Sequence, residues 1–408
     1  MSFTGAQINK LDGGLGGGEP AGRVAVLVIG AGAIPDKLEL YKAYELLQIE
    51  DAEARGITAE SDTANQELSY YHLSEIFRLS PETSVHVIAV PKATKESDLK
   101  NLTEFIAALR SIPNVNTIGV AGLTDDADIG VAVTGMQLLA DDLKKDFIYI
   151  DVAVIEGKGA YLTGATVADY PALREYDSET IMPVWAQDPA IVALDDAYEN
   201  HAAVGSALGM LLVRSIHENL GSVDIEVKPK ARKAEQDYTL TDVKTGRWLS
   251  AALSNGKKFE TLSGADQKKL DELGYNYVGV FAGYGGYFFS DSHTCTEADS
   301  DYCYAERNAI WNKGARIIRA TLIPRIRSKV ESDPGTGYIK NTTITDWDGR
   351  VRKALEEMVR ARDIAAFDIY INPKQAAVST RPFNIKVQFV ADGVVHEFEV
   401  DLGFTRSV

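Results

Sequence analysis

Cysteine is nearly missing from this chain: its 408 residues hold two, Cys295 and Cys303. Two thiols cannot staple a chain of this size, which excludes a disulfide scaffold and points to a reducing compartment. Long apolar runs are missing too. With no stretch of eighteen apolar residues, no membrane-spanning helix is expected. The opening MSFTGAQINKLDGG has neither the basic start nor the apolar core of a secretory signal. The phosphate-cradling pattern GxxxxGK[ST] is absent. A nucleophile elbow is absent at Gly205-Ser-Ala-Leu-Gly209, where Val204 stands in place of the glycine two positions before the serine.

Positive charge is short relative to negative, with 42 Lys and Arg against 59 Asp and Glu and a formal net charge of −17. Residues 1–235 hold nineteen basic and thirty-six acidic residues, and residues 236–408 hold twenty-three of each. The whole excess therefore lies in the first part, and nucleic acid is not an expected partner. In the balanced part, Arg316 and Arg319 form one basic island and RVRKALEEMVRAR, Arg350–Arg362, another. Two readings stand: solvated helix faces beside an acidic, solubility-promoting surface, or an inner domain with a basic face for an acidic partner.

What is present fits a soluble α/β protein. An apolar share of 45% supports sizeable cores, and the length predicts two domains plus arms. Residues 1–22 read as a short strand, with Phe3, Ile8 and Leu11, joined through a hinge of Gly13, Gly14, Gly16, Gly17 and Gly18. VAVLVIGAGAIP (24–35) has the outline of a dinucleotide-binding turn, but Pro35 stands where the third glycine belongs, so a buried strand and a loop are expected. Helices are predicted over 38–47, 65–79, 100–109 and 130–143, alternating with strands over 85–90, 116–122 and 147–154. This rhythm predicts an α/β sandwich. In the helix over 65–79, Leu73, Ile76 and Phe77 point inward, while His72 and Glu75 read as a solvated face. A long helical region is expected over 190–220, where Ala203, Gly205, Ala207 and Gly209 allow close helix contact and Gly221 stops the helix. The composition change after residue 221 places a domain boundary near 235.

Beyond it, a helix is expected over 257–273. An aromatic, strand-like run, 275–289, is broken by Gly283, Gly285 and Gly286. Asp291, His293, Cys295, Glu297, Asp299, Asp301 and Cys303 then lie close in sequence. With no central glycine for a calcium loop, and one histidine with two cysteines for zinc, they predict a polar surface loop and no metal site. A helix runs on toward Pro324, a strand is expected over 336–344, an amphipathic helix over 347–362 and a strand over 364–372. The chain closes with a predicted hairpin: Ile385, Val387 and Phe389 alternate, Asp392-Gly393 turns, and Phe398, Val400, Leu402 and Phe404 return. Two strands bury too little to stand alone and need a partner sheet.

The order GYNYVGVFAGYGGYFFSDSHT…DYCYAERNAIWNKGARIIRATLIP resembles contractile tail sheath proteins, over Leu273–Pro324 in detail and to Phe404 in outline. YYHLSEIFR, Tyr70–Arg78, is similar to the YH-x-x-E-F-F-R signature of a sheath branch typical of Bacteroidetes phages and related contractile injection systems. The resemblance implies a linking arm (1–22), an outer α/β domain (23–235), an inner α+β assembly domain (236–390) and a C-terminal strand arm (391–408). It implies hexameric rings stacked helically around an inner tube protein, with exchanged terminal strands, baseplate and terminator partners, and no cofactor. It also implies no enzymatic or membrane-inserting role, and a place in a virion tail or injection particle assembled in the bacterial cytoplasm. Arg350, Arg352, Lys353, Arg360 and Arg362, then Arg316 and Arg319, are the expected tube-facing residues. A nucleotide-binding α/β enzyme, with a phosphate loop at 30–34, and another shell or filament subunit are the alternatives.

Overall fold

A computed structural model describes residues 22–379, 382–396, 398–400 and 402. The N-terminal strand and hinge, and Phe404, lie outside the described residues. The chain divides into two compact units, the break falling between Asn308 and Ala309. The first unit thus runs past the composition change at 235: Trp248, Leu253 and Tyr275 belong to its cores.

The first unit is built on a six-stranded sheet in the order β2-β3-β1-β4-β5-β6. Its strands are β1 (Ala25–Gly30), β2 (Ala43–Leu46), β3 (Val85–Val90), β4 (Thr117–Ala121), β5 (Val152–Glu156) and β6 (Ile181–Val184). All neighbours are parallel except β2, which lies antiparallel on β3. Side chains alternate across a strand, and β1 shows what that does. Ala25, Leu27 and Ile29 enter one core with α3 (Ser69–Leu79) and α7 (Val204–Leu212). Val26 and Val28 enter the other with α4 (Thr103–Ser111) and α5 (Ile129–Lys145). The result is the expected three-layer sandwich, both faces covered because both faces are apolar. Completing the unit are α1 (Ile49–Ala54), α2 (Ala59–Asn65), α6 (Pro189–Val192), α8 (Gly264–Leu273) and the two-residue strands β7 (Ala186–Gln187), β8 (Ala252–Leu253), β9 (Val278–Gly279) and β10 (Phe288–Phe289).

Several expectations are corrected. Residues 38–47 are not a helix: Leu38 bridges back to Ile34, Tyr41 takes a φ of 57°, and the chain continues into β2. The helix over 190–220 contracts to α6 and α7, because Asp188 and Asp195 each cap a short turn and redirect the chain. It ends at Leu212, where Arg214 donates to the Met210 carbonyl at 2.8 Å, well before Gly221. His72 and Glu75 are buried, not solvated. Glu75 accepts a two-pronged contact from Arg78 (2.8 and 2.6 Å), one from Ser206 Oγ (2.8 Å) and one from Trp248 Nε1 (3.2 Å). The loop after 290 is largely interior as well: Asp291, Ser292, His293, Thr294, Cys295 and Cys303 are buried, with residues 297–299 and 301 exposed.

In the second unit, α9 (Ala305–Leu322) enters from the first, and α10 (Asn341–Arg360) follows, then β11 (Ala366–Ile371) and β12 (Ile385–Val390). The strand expected over 336–344 is replaced by the first turn of α10. Asp333 gathers the N–H groups of Gly335 and Thr336 into a turn, and only isolated bridges at Tyr338 and Ile339 remain.

Candidate assembly interface

Trp347, Val351, Leu355 and Met358 fall on one stripe of α10 and are buried. This spacing of four, four and three residues is the inward face of an amphipathic helix, and α10 packs on β11, whose Ile369 and Ile371 are buried. The Trp347 and Phe383 rings meet with centroids 5.4 Å apart. Gly314 of α9 lets the ring of Phe389 approach: a Cβ there would sit 2.4 Å from it. A partly buried ion pair, Lys313 Nζ to Asp363 Oδ2 at 2.6 Å, ties α9 to the segment just after α10.

The outward face of α10 carries the expected basic residues, but not as a free cationic stripe. Arg350 pairs with Asp346 (2.9 Å), Arg352 with Asp348 (3.3 Å) and Arg360 with Glu356 (3.3 Å), each one helical turn apart. Arg352 also lies over the Phe367 ring. Four bases and four acids make α10 neutral. Lys353 and Arg362 are exposed, and Arg316 and Arg319 are half-buried.

The sheet of this unit is the more telling feature. β11 pairs antiparallel with β12, Ala366 opposite Val390 and Ile371 opposite Ile385, and among the described residues no third strand joins them. The expected return strand does not fold back on β12: among the described residues, 391–402 form no strand, and Phe398, Val400 and Leu402 are 82%, 78% and 96% exposed. Val390 and Val395 are exposed as well. Among the described residues neither outer edge of this sheet carries a further strand, and the apolar segment after it is exposed, the pattern of a sheet that accepts strands.

Two other groups of residues offer less. Asp271, Asp291 and His293 bring ligand-type atoms within 4.8 Å of one another. Yet His293 Nδ1 faces the Arg174 guanidinium at 3.2 Å and must accept there, so Nε2 carries the proton and donates to Asp271 Oδ1 at 2.7 Å. An imidazole in this tautomer has no lone pair left for a metal. At 30–34, β1 is followed by a turn and β2 rather than by a helix, so no helix N-terminus is built to receive a phosphate there.

No curated protein is matched by sequence. Among solved structures, a chain of the anti-feeding prophage helical sheath in its contracted state superposes with a TM-score of 0.61 at 11% identity, each chain covered in full. A chain of the contracted sheath complex of the extracellular contractile injection system PVC gives 0.56 at 14%, covering 100% of this chain and 98% of that one. A sheath tail protein from Desulfitobacterium hafniense gives 0.51 at 10%, covering 95% and 100%. At these identities the likeness is one of fold, and it runs through both units. The model described as DUF2586, N-terminal domain matches residues 3–293, and that described as DUF2586, C-terminal domain matches 301–408. Sharing the sheath fold, the chain belongs to the DUF2586 family.

Proposed function

We propose that the chain is the subunit of a contractile tail sheath, stacking as rings around an inner tube and contracting to drive that tube through a target envelope. The observation that carries this reading is the unfinished sheet of the second unit. Among the described residues no third strand joins β11 and β12, and an exposed apolar segment follows them, an arrangement that strands from other chains would complete. A fold shared along its whole length with sheath chains supports it. The role is structural and needs no chemistry: contraction releases conformational energy stored in the extended lattice.

In this reading residues 23–235 face outward and 236–390 inward. Residues 1–22 and 391–408 are the arms that link subunits, with Phe3, Ile8 and Leu11 anchoring one and Phe398, Val400, Leu402 and Phe404 the other, and Gly13–Gly18 as hinge. The rings are hexameric, and the particle, a virion tail or injection machine, assembles in the bacterial cytoplasm with tube, baseplate and terminator proteins. Arg350, Arg352, Lys353, Arg360 and Arg362, with Arg316 and Arg319, meet an acidic tube. Exchanging an exposed pair within α10 for one with the tube changes little energy, since such pairs contribute about 0–1 kcal/mol. That suits a contact that must release. Negative-stain electron microscopy of the purified chain, alone and with its tube protein, tests the proposal. Ribbed cylinders, or rings stacked on the tube, are expected; a monodisperse monomer under both conditions would overturn it.

A further inference from the structure

Four pairs of aspartate or asparagine followed by glycine occur in the chain: Asp12-Gly13, Asn255-Gly256, Asp348-Gly349 and Asp392-Gly393. Such a pair can modify itself. The glycine nitrogen attacks the Cγ of the preceding side chain and closes a five-membered ring, since no Cβ on the glycine obstructs the approach. The reaction needs both groups free to meet. By residue type alone Asn255-Gly256 is the most reactive pair, because an ionised carboxylate resists attack more than an amide does. The fold reverses that order among the described residues; Asp12-Gly13 lies outside them.

Asn255-Gly256 is held at three atoms. Asn255 Nδ2 donates to the Tyr170 hydroxyl at 3.0 Å, and Asn255 Oδ1 accepts from the Lys257 N–H at 3.2 Å. The Gly256 N–H, which belongs to the attacking atom, donates to the Leu253 carbonyl at 2.8 Å. Asp348-Gly349 lies inside α10. There Asp348 receives Arg352 on both carboxylate oxygens, at 3.3 Å each, and an N–H in a helix interior is committed to the carbonyl four residues back.

Asp392-Gly393 differs on each count. It lies just after β12, both residues are exposed, and neither is in a helix or strand. A Cβ added at Gly393 would meet nothing within 4 Å. Among the described residues no hydrogen bond or ion pair engages the Asp392 carboxyl or the Gly393 N–H. The attacking nitrogen and the carboxyl it attacks are therefore both unrestrained.

We propose that Asp392 is a site of spontaneous isomerisation to isoaspartate, and that the fold shields Asn255 and Asp348 from the same attack. The Gly393 nitrogen bonds to Asp392 Cγ as the bond from Cγ to its hydroxyl breaks. That hydroxyl and the proton from nitrogen leave as water, and a succinimide remains. Water then adds to the main-chain carbonyl carbon of Asp392, the bond from that carbon to the Gly393 nitrogen breaks, and a proton returns to nitrogen. The chain now runs through the former side chain, and the former main-chain carbonyl is a free carboxylate. The water released is the water consumed, so mass and charge are unchanged, and no oxidant, reductant or catalyst takes part. One methylene enters the main chain between β12 and the exposed Phe398, Val400 and Leu402. The chemistry belongs to the single chain and does not depend on assembly.

To test this, the full-length chain is incubated folded and, in parallel, unfolded in guanidinium chloride, then sampled over weeks and digested. Isoaspartate is read from peptides of identical mass that separate by chromatography and resist an Asp-specific endoproteinase; deamidation at Asn255 is read from its mass gain. In the folded chain Asp392 is expected to isomerise, with Asn255 and Asp348 about tenfold slower or more, because each must first open locally. Unfolding is expected to leave the Asp392 rate within a few-fold and to raise that of Asn255 above it. Gly393→Ala, which puts a Cβ beside the attacking nitrogen where space is open, is expected to slow Asp392 about tenfold with the melting temperature unchanged. Asp392 intact in the folded chain but isomerised in the unfolded one would overturn the proposal, since a contact then holds it. Faster conversion at Asn255 than at Asp392 in the folded chain would overturn the shielding.

Discussion

Glu96 shows how much a single buried side chain can hold in reserve. Its carboxyl is fully interior and neither oxygen has a partner. Burial, opposed by Lys158 and reinforced by Glu156 and Asp126, pushes it up from 4.5 to about 8. A group raised in the folded state contributes stability that is complete below its unfolded value and lost as pH rises through the folded one. The window here is about 4.5 to 8. Glu96→Gln, uncharged at every pH, is therefore expected to gain on the parent by a few kcal/mol, as an order of magnitude, between pH 4.5 and pH 8.5. Urea denaturation at those two values checks it, and an equal difference at both would refute the assignment.

At the scale of elements, α3 packs closely against α7 in the first unit. A Cβ at Gly205 would stand 2.3 Å from the His72 carbonyl oxygen and 2.5 Å from its Cα, both backbone atoms that cannot swing aside. Gly205→Ala is expected to cost roughly 1–3 kcal/mol, read as a lower urea midpoint. The tail after β12 should behave in the opposite way. Phe398, Val400 and Leu402 touch little within their own chain, so replacing all three by Asp is expected to leave the melting temperature within about 2 °C and to abolish cylinders in micrographs. A collapsed melting temperature would mean that these side chains serve the monomer instead. For α10, replacing Arg350, Arg352, Lys353, Arg360 and Arg362 by Ala is expected to spare ring formation and to impair stacking on the tube in a co-sedimentation assay. Unchanged stacking would remove α10 from the tube contact.

At the scale of the whole molecule, charge would set the conditions of the proposed assembly. Each chain carries a net −17, all of it from residues 1–235, and the proposed polymerisation would bring those charges together. Screening reaches a Debye length of about 30 Å at 0.01 M salt and about 8 Å at 0.15 M. Polymerisation is therefore expected to increase over that range, followed by sedimentation of the chain without its tube. Dissolution of cylinders by the same salt would show that attractive ion pairs between subunits, not repulsion, dominate the lattice.

Hydrophobic alternation and period were enough, from the sequence alone, to place β1, β3, β4, β5, α3 and α5 and to predict the sandwich, because a buried parallel strand or an amphipathic helix writes its surroundings into consecutive residues. The glycines of α7 likewise announced close helix contact. The order of aromatic and polar residues over 274–324 carried the sheath resemblance. Other features were decided only by the tertiary structure. His72 and Glu75 have the spacing of an exposed face, and they are interior because α7 and Trp248 cover that side of α3 with groups far away in sequence. His201 lies in a stretch that reads as continuous helix, and its partner Tyr198 becomes available only once the chain leaves that helix. The closing hairpin failed for a related reason. Alternation shows that a segment wants a sheet, but which strand it joins depends on the edges that are free; β12 takes β11, and Phe398, Val400 and Leu402 are left facing solvent.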